Sequence, residues 1–349
     1  MAIQAPGGER ISRHKLAAGA AAELLELVGR RRAMSEHGAG RTVRVMSCYE
    51  AGRDGFWLHR RLVANGIENL VIDPASVAVN RRARRAKTDR LDAETLLRAM
   101  MARQRGERRV CSVVRVPTPE AEDARRLTRE REALLKERIR HVNRIKSLCA
   151  LQGVYDFEPL RPRAAERLDQ LVTGDGQPFP RHLKAEIQRQ LDRLEQVVHQ
   201  IGEVEALRDG PASPLTEGVA RLLGLRGLGP NIASVLQAEI LGRRFANRRE
   251  IAQFAGLAPS PWASGGMQRE QGISKAGNRR VRTAMVELAW LWLRNQPDSA
   301  LSRWFRERVG QARGIVRRIA IVAVARRLLV ALWRYATDGV MPEGAVARS

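Results

Sequence analysis

The sequence predicts an α/β domain at the N-terminus followed by a mainly helical remainder. Short apolar stretches that favour strands alternate with helical patterns over residues 42–73, which is typical of a sheet with helices packed on it. From Pro119 onward the pattern changes to long charged helices, and the C-terminal part returns to apolar helices. The predicted domains are therefore 1–118, 119–210 and 211–349.

The α/β part is predicted to begin with a hairpin. The segments AIQA and RISRHKL flank the turn signal Pro6-Gly7-Gly8, and this arrangement is typical of two paired strands. The elements predicted after it, in order, are a helix at 20–32, a strand at 42–49, a helix at 55–65 and a strand at 69–73. Glu50 then stands at the carboxyl end of a strand, where open α/β sheets place their sites.

A strongly basic run leads into a helix that carries two carboxylates. The cationic residues of the run are candidate nucleic-acid contacts: Arg81, Arg82, Arg84, Arg85 and Lys87. Asp89 and Asp92 are three residues apart, so they lie about 60° apart on one face of a helix. The apolar stripe of this helix continues from them through Ala93, Leu96, Leu97 and Met100. The aspartates therefore point inward, whereas Glu94, roughly 140° round the helix from Asp89, is predicted to face solvent.

Two buried like charges need a partner that neutralises them. Burying each one unpaired costs several kcal/mol, and a divalent cation held by hard oxygen ligands removes that cost. The spacing therefore favours a metal site at Asp89 and Asp92. The alternative is that both aspartates only help the helix to begin, because carboxylates are favoured near a helix N-terminus.

The charge of the chain predicts a polyanion as its partner. The formal net charge is +24 at pH 7, and it comes from arginine far more than from lysine. Arginine suits bidentate phosphate contacts, so nucleic acid is the first expectation and an anionic membrane surface is the rival. The longest apolar run, 319–325, is far shorter than the roughly 20 residues that a membrane span needs. Three widely spaced cysteines fit neither a disulfide framework nor a zinc site, which favours a reducing cytoplasm.

Two long charged helices with a break between them predict a helical hairpin. The first covers 119–152 and the second begins near His182. The apolar seam is Leu127, Leu134, Leu135, Ile139, Val142, Ile145 and Cys149 in the first helix, and Ile187, Leu191, Leu194, Val198 and Ile201 in the second. Intervals of four and three are a heptad signature, so we predict an antiparallel coiled coil. It is either an internal brace or, as its many arginines favour, a dimerisation arm or nucleic-acid clamp.

The stretch RLLGLRGLGP predicts two helices joined by a tight turn. In a helix-hairpin-helix unit, the backbone N–H groups around Gly227 and Gly229 would contact DNA phosphates. A plain helical hairpin whose glycines allow close packing is the alternative.

Ser264 is followed by two glycines, so the backbone there can present its hydroxyl freely. Lys275, Arg279, Arg280 and Arg282 follow in the sequence and could hold a phosphate against it. These residues alone leave open whether Ser264 is a nucleophile or only forms a turn.

Five stretches taken together resemble one family. They are YEAGRDGFWLHRRL with Glu50, KTDRLDAETL with Asp89 and Asp92, LLGLRGLGP, QFAGLAPSPWASGG with Ser264, and GISKAGNRRVR. In this order and spacing they resemble the DEDD-type insertion-sequence transposases, the bridge-RNA-guided recombinases related to the Piv DNA invertase. The likeness extends over nearly the whole chain, from roughly Ile3 to Ala336.

The resemblance implies a fold, a site and partners. The N-terminal domain would be RuvC-like, with a ribonuclease-H-like fold, and the C-terminal transposase domain would carry a serine nucleophile. Glu50, Asp89 and Asp92 would hold Mg²⁺, and Ser264 would attack a DNA phosphate. The partners would be DNA, a guide RNA and further copies of the chain in a dimer or tetramer, because one active site would combine parts of two domains. The location would be the bacterial cytoplasm, at the nucleoid.

The N-terminus departs from the family pattern. Family members begin with a strand that bears the first aspartate, in a pattern like G-x-D-x-[SA]-K, whereas no acidic residue precedes Glu9 here. We therefore expect the chain to be truncated and to lack that strand. Two other functions stay open, a nucleic-acid-binding remnant without catalysis and a metal-dependent junction nuclease without a covalent serine step.

Overall fold

The computed structural model describes residues 1–52, 55–77, 89–210, 216–264 and 267–348. The chain divides into two compact units, Met1–Thr118 and Pro119–Ser349. The described elements make a mixed α/β protein that is mostly helical, which confirms the fold class at that level. The sheets among the described residues are two-stranded, so the ribonuclease-H-like arrangement stays a prediction.

The first unit begins with the predicted hairpin. Strand β1 (Ala2–Gln4) pairs antiparallel with β2 (Ile11–Arg13), and Ile3 lies opposite Ser12. Helix α1 (Ala21–Ala39) is longer than predicted. It ends at Gly40, whose left-handed φ of 62° lets its N–H donate to the Glu36 carbonyl.

A parallel strand pair follows in the first unit. Strand β3 (Met46–Glu50) pairs in parallel with β4 (Glu68–Ile72), and α2 (Trp57–Ala64) connects them. The other edge of β4 bonds to the segment 112–114, because the Val114 N–H donates to the Val71 carbonyl over 2.7 Å. β3 begins four residues later than predicted, since the Val43 N–H is bound by the Glu36 carboxylate instead of by a strand.

Helix α3 (Asp89–Gln104) packs on the β3–β4 pair. Ala99 lies in a small core with Ile72 and Cys111, and Leu96 packs against that core. The Cys48 thiol donates to the Leu96 carbonyl over 3.5 Å. This contact ties β3 directly to the middle of α3.

The second unit opens with an antiparallel helical hairpin made of α4 (Pro119–Ala150) and α6 (Arg181–Asp209), with the short α5 (Ala164–Asp169) between them. Arg144 pairs with Glu186 over 2.7 Å and Arg131 pairs with Glu205 over 2.5 Å, so the helices run in opposite directions. The described contacts do not test knobs-into-holes packing, and the coiled coil itself stays a prediction.

Two positions of the predicted seam are wrong. Ile139 is 53% exposed and Val198 is 42% exposed, whereas Val197 is buried. The buried positions of α6 recur at intervals of four, three, three and four along Ile187, Leu191, Leu194, Val197 and Ile201, so Val197 takes the inward position that was predicted for Val198.

Helices around one large core complete the second unit, together with a two-stranded ribbon. The elements are α7 (Glu217–Leu223), α8 (Pro230–Leu236), a π-helical turn (Gln237–Leu241), α9 (Arg248–Phe254), β5 (Pro259–Ser264), β6 (Met267–Ile273), α10 (Arg279–Asn295), α11 (Ala300–Val309) and α12 (Ile315–Asp338). Trp292 of α10 and Leu328 of α12 are fully buried in the core. Among the described helices, none combines the length and apolar character needed to span a bilayer.

Candidate functional site

The structure places Glu50 and Asp92 on two elements that pack together. Glu50 is the last residue of β3 and is exposed, as the predicted strand end requires. Asp92 lies in the first turn of α3 and is half-buried. It precedes Leu96 by four residues and Ala99 by seven, so it lies on the helix face that packs on the sheet. Asp89 is the first residue of α3, and its side chain lies outside the described residues.

The donor chemistry of this region suits a hard divalent cation. Carboxylate oxygens are what Mg²⁺ binds in proteins, and Glu50 and Asp92 supply them. Among the described side chains, no group of three His, Cys, Asp or Glu residues lies close enough together to hold a metal ion. A complete site would therefore need a ligand beyond those side chains, and the Mg²⁺ site stays a prediction.

Glu94 corrects one prediction for α3. Its side chain is 14% exposed and pairs with Arg13 of β2 over 2.7 Å, so it does not face solvent. The hairpin β1–β2 lies beside α3 and supplies this cation. Sequence spacing could not show this ion pair, because Arg13 and Glu94 are 81 residues apart.

The basic run before α3 lies outside the described residues. It contains the predicted nucleic-acid contacts Arg81, Arg82, Arg84, Arg85 and Lys87.

Ser264 is the last residue of β5, a strand that the prolines and glycines around it did not predict. It pairs with Met267, the first residue of β6, in an antiparallel ribbon. Two residues therefore connect the strands, which is the shortest common hairpin connection and one that favours glycine. The side chain of Ser264 lies outside the described residues, but its backbone position is at the tip of a hairpin.

The base of this ribbon is fastened to the body of the second unit by a strained backbone. Lys275 has a φ of 55°, a left-handed conformation that costs a residue with a side chain about 1–3 kcal/mol. Its N–H donates to the Gly256 carbonyl over 3.3 Å. Gly277 has a φ of 142°, and a Cβ there would lie 2.5 Å from the Phe254 carbonyl oxygen. The chain can pass this close to α9 only because residue 277 is glycine.

The predicted phosphate-binding cations separate into two groups. Lys275 and Arg279 are exposed. Arg282 is half-buried and donates to the Lys275 carbonyl over 2.9 Å, so it braces the strained segment. Arg280 pairs with Glu132 of α4 over 2.6 Å. Lys275 and Arg279 are therefore the exposed cations beside the ribbon.

The carboxylate of Glu132 receives two cations. Burial acts to raise its pKa, but hydrogen bonds and charges from Lys136 and Arg280 outweigh burial and lower the pKa below its usual value. Glu132 is therefore held ionised, and the ion pair holds Arg280 against α4.

A buried polar network lies next to this pair, and sequence reasoning missed it. Glu239 is 4% exposed in the π-helical turn, and its carboxylate accepts from the Asn278 amide over 2.8 Å. The Arg129 guanidinium lies 3.9 Å from the same carboxylate. Arg125 donates to the Ala238 carbonyl over 2.9 Å. Single π-helical turns are frequent at functional sites, and this one joins α4 to the N-terminus of α10.

Asn278 also caps α10. Its side-chain oxygen accepts from the N–H groups of Arg280 and Val281, over 3.0 and 3.2 Å. An asparagine directly before a helix is an N-cap signal, so the sequence contained a signal for the capping role of Asn278. Glu239 stands in the apolar run VLQAEIL, and that charge among apolar residues was the only signal for it.

The two glycines of the predicted phosphate-binding turn have different surroundings. Gly227 has a φ of 85°, and a Cβ there would lie 2.6 Å from the Asn295 Cβ. Gly229 precedes α8, and a Cβ there would have no atom within 4 Å. Close packing therefore accounts for Gly227, whereas only Gly229 has open space in which its backbone could meet a ligand.

Two family models match the chain. The model described as the IS116/IS110/IS902 transposase family matches residues 219–303, and a DEDD transposase model of the IS110 type matches residues 1–155. The relative named "Putative transposase y4rJ" in Sinorhizobium fredii is 50% identical, over 98% of this chain and 90% of its own length. The transposase for insertion sequence element IS1111A of Coxiella burnetii is 26% identical, over 80% of this chain and 74% of its own. The transposase for insertion sequence element IS1328 of Yersinia enterocolitica is 27% identical, over 64% and 66%.

Proposed function

Because this chain belongs to the IS110 family of insertion-sequence transposases, we propose that it cuts and rejoins DNA strands with Ser264 as the nucleophile. The observation that carries the proposal is the place of Ser264 at the tip of the β5–β6 ribbon. The base of that ribbon is held by the strained segment at Lys275, with the exposed side chains of Lys275 and Arg279 beside it. A hydroxyl at a hairpin tip can approach a phosphate of the DNA backbone, whereas a buried hydroxyl could not.

The proposed reaction exchanges one phosphate ester for another. The Ser264 oxygen forms a bond to the phosphorus while the bond from phosphorus to the leaving sugar oxygen breaks. The hydroxyl proton passes to a base, and the leaving oxygen gains a proton. In the second half, a sugar hydroxyl of another strand attacks the phosphoserine and restores the serine. The number of phosphate esters is conserved, so rejoining needs no external energy source.

The carboxylates of the first unit would hold the metal. When bound, Mg²⁺ would stabilise charge on phosphate oxygens and favour deprotonation of a hydroxyl. Glu50, Asp89 and Asp92 are the residues we propose as its ligands. They would fix the position of the cation.

The partners follow from the charge and the family. The family implies DNA binding, and a net charge of +24 suits several phosphate contacts. We also propose a guide RNA as a partner, a homo-oligomer as the working form and the nucleoid as the place of action. For the fold, we propose a RuvC-like first domain and the three domains 1–118, 119–210 and 211–349. We further propose a kinship with the Piv invertase. Each of these extends the family membership.

A covalent protein–DNA complex is the product that tests the proposal. Labelled DNA carrying the ends of the element is incubated with the full chain and Mg²⁺, and the products are separated on a denaturing gel. We expect a band of protein-linked DNA with the parent chain and no such band with Ser264→Ala. Ser274→Ala is the matched control, because it removes a neighbouring exposed hydroxyl and should keep the band.

The other outcomes identify the rival functions. Cut DNA without a covalent band in any variant would indicate a junction nuclease that activates water. Binding without cutting in the parent chain would indicate a nucleic-acid-binding protein without catalysis. A covalent band that persists in Ser264→Ala and disappears in Ser274→Ala would move the nucleophile to Ser274.

A further inference from the structure

Two tryptophan–arginine pairs lie on the last three helices, away from the serine ribbon in the sequence. The Arg317 guanidinium carbon lies 5.1 Å from the ring centroid of Trp290, and that of Arg327 lies 4.1 Å from the centroid of Trp304. Both distances fall within the range of a cation–π contact. We call these four residues the tryptophan–arginine surface.

Trp290 is not a core residue. It is 39% exposed, whereas Trp292 on the same helix is completely buried. Its ring and that of Phe305 are nearly perpendicular, with 6.3 Å between centroids and 75° between planes. Phe305 is buried, so it contacts the ring from the interior of the protein, and the Arg317 guanidinium lies over the ring. The ring is therefore both fixed in place and open to solvent.

The surroundings of this surface are strongly cationic and partly apolar. From Arg294 to Arg334 the sequence contains ten arginines and two acidic residues. Ile315, Val316 and Ile319, in the first two turns of α12, are exposed beside Arg317. A second copy of the same cationic face would be repelled, and so the charge favours a polyanion that also offers flat apolar groups.

Single-stranded nucleic acid has both properties. Its phosphates suit arginine, and its unpaired bases can stack on aromatic rings, whereas a duplex hides the faces of its bases. Arg317 and Arg327 are ten residues apart on α12, which is about 15 Å along the helix axis. Roughly four stacked nucleotides cover that distance.

We propose that the tryptophan–arginine surface binds single-stranded nucleic acid, with a base stacked on Trp290 and backbone phosphates on the neighbouring arginines. The proposal rests on the proposed function only in taking nucleic acid as the partner. It does not depend on the chemistry of Ser264, because the four residues lie on α10, α11 and α12.

The test measures binding without divalent metal, so that no strand is cut and a failure of the serine chemistry cannot affect it. The full chain is titrated against labelled 12-nucleotide oligothymidylate, oligouridylate and a 12-base-pair duplex, with fluorescence anisotropy as the readout. Trp290→Leu should weaken single-strand binding about 5- to 100-fold, because a base–aromatic stack is lost. Duplex binding should stay unchanged. Trp290→Phe keeps an aromatic ring and should stay within about threefold of the parent.

The charge component is tested with a matched pair of variants. Arg317→Gln should lower the slope of log affinity against log salt by about 0.7 for the single strands. Arg193→Gln removes the same charge from an exposed position on α6 and should leave the slope unchanged. Tighter binding of one oligonucleotide identifies DNA or RNA as the source of the strand, and either result supports the surface.

Three results would overturn the proposal. Trp290→Leu could bind the single strands as tightly as the parent, or it could lose the duplex and the single strands equally while its circular dichroism spectrum stays unchanged. The surface could also bind vesicles of anionic lipid, in a manner sensitive to Trp290→Leu, while the oligonucleotides show no such sensitivity.

Discussion

The side-chain amide of Asn278 has two partners at once, because its oxygen caps α10 and its nitrogen donates to the buried carboxylate of Glu239 over 2.8 Å. One residue therefore fixes where α10 begins and also satisfies a buried charge in the π-helical turn. The residues just before it are the strained Lys275 segment and the serine ribbon. The position of the ribbon thus depends on a polar contact in the interior of the second unit.

Asn278→Ala should destabilise the protein more than loss of a cap alone. Removing an asparagine cap costs about 1 kcal/mol, and a buried carboxylate without its donor costs about 1–3 kcal/mol more. Asn247→Ala is the matched control, because Asn247 caps α9 in the same way. This variant should lose only the stability that comes from the cap. Urea unfolding followed by circular dichroism measures both. Equal losses in the two variants would mean that Asn278 acts only as a cap.

Gly227→Ala should destabilise the second unit, whereas Gly229→Ala should have a small effect. A methyl group at 227 would lie 2.6 Å from the Asn295 Cβ in a backbone with a φ of 85°, so both strain and overlap oppose it, at about 1–3 kcal/mol. At 229 the methyl group would enter open space. Thermal unfolding of the two variants gives the comparison. If Gly229→Ala instead weakened DNA binding without changing stability, the helix-hairpin-helix interpretation would gain its first support.

Asp92→Ala should abolish Mg²⁺-dependent strand cutting and leave the chain folded. A metal ligand is lost, while a half-buried carboxylate is removed from a helix face that packs on apolar residues. Glu94→Gln is the control on the same helix, because it breaks the ion pair with Arg13 without touching the proposed ligands. A cleavage assay on labelled DNA measures both. Normal cutting by Asp92→Ala would show that this aspartate only helps the helix to begin.

Cys48 should react slowly with iodoacetamide although its side chain is only partly buried. Burial, with a smaller contribution from Cys111, raises the pKa of the Cys48 thiol from its ordinary value of 9.0 to about 12. At pH 8 about one thiol in ten is ionised at the ordinary value, against about one in 10,000 at a pKa of about 12. Mass spectrometry of the alkylated native protein, with the unfolded protein as control, measures the difference. Comparable rates in the two states would contradict the shift.

The same shift fixes the direction of a stability change with pH. The folded state holds the Cys48 proton more tightly than the unfolded state. The contribution of the protonated thiol to the free energy of unfolding is therefore complete below pH 9 and is lost as the pH rises towards about 12. The free energy of unfolding of Cys48→Ala should therefore fall less over that range than the parent's. An equal fall in both proteins would mean that other groups account for it.

Local signals in the sequence were sufficient for several elements. The Pro-Gly-Gly turn predicted β1–β2, and the end of an apolar stretch placed Glu50 at the end of β3. These features depend on residues that are close in sequence. The alternation of apolar residues was enough to find them.

Features that depend on distant partners were beyond the sequence. Arg280 was predicted as a phosphate contact, but its partner Glu132 is 148 residues away. Glu94 was predicted to face solvent, since helix geometry alone does not show that the β1–β2 hairpin covers that face. No strand was predicted around Ser264, because two prolines and several glycines argue against one, although prolines are tolerated at an edge.

The helical hairpin also sets the order in which the second unit can assemble. Its tip is closed by Lys146 and Glu158, 12 residues apart, followed by Arg144 and Glu186, 42 apart, and then Arg131 and Glu205, 74 apart. The entropy cost of closing a loop grows with its length, so closure is expected to begin at the tip and proceed towards the base. The contact of Arg125 with Ala238 spans 113 residues and would form last. During synthesis on the ribosome, the hairpin can therefore close before the last three helices have emerged, and it offers them a finished surface on which to fold.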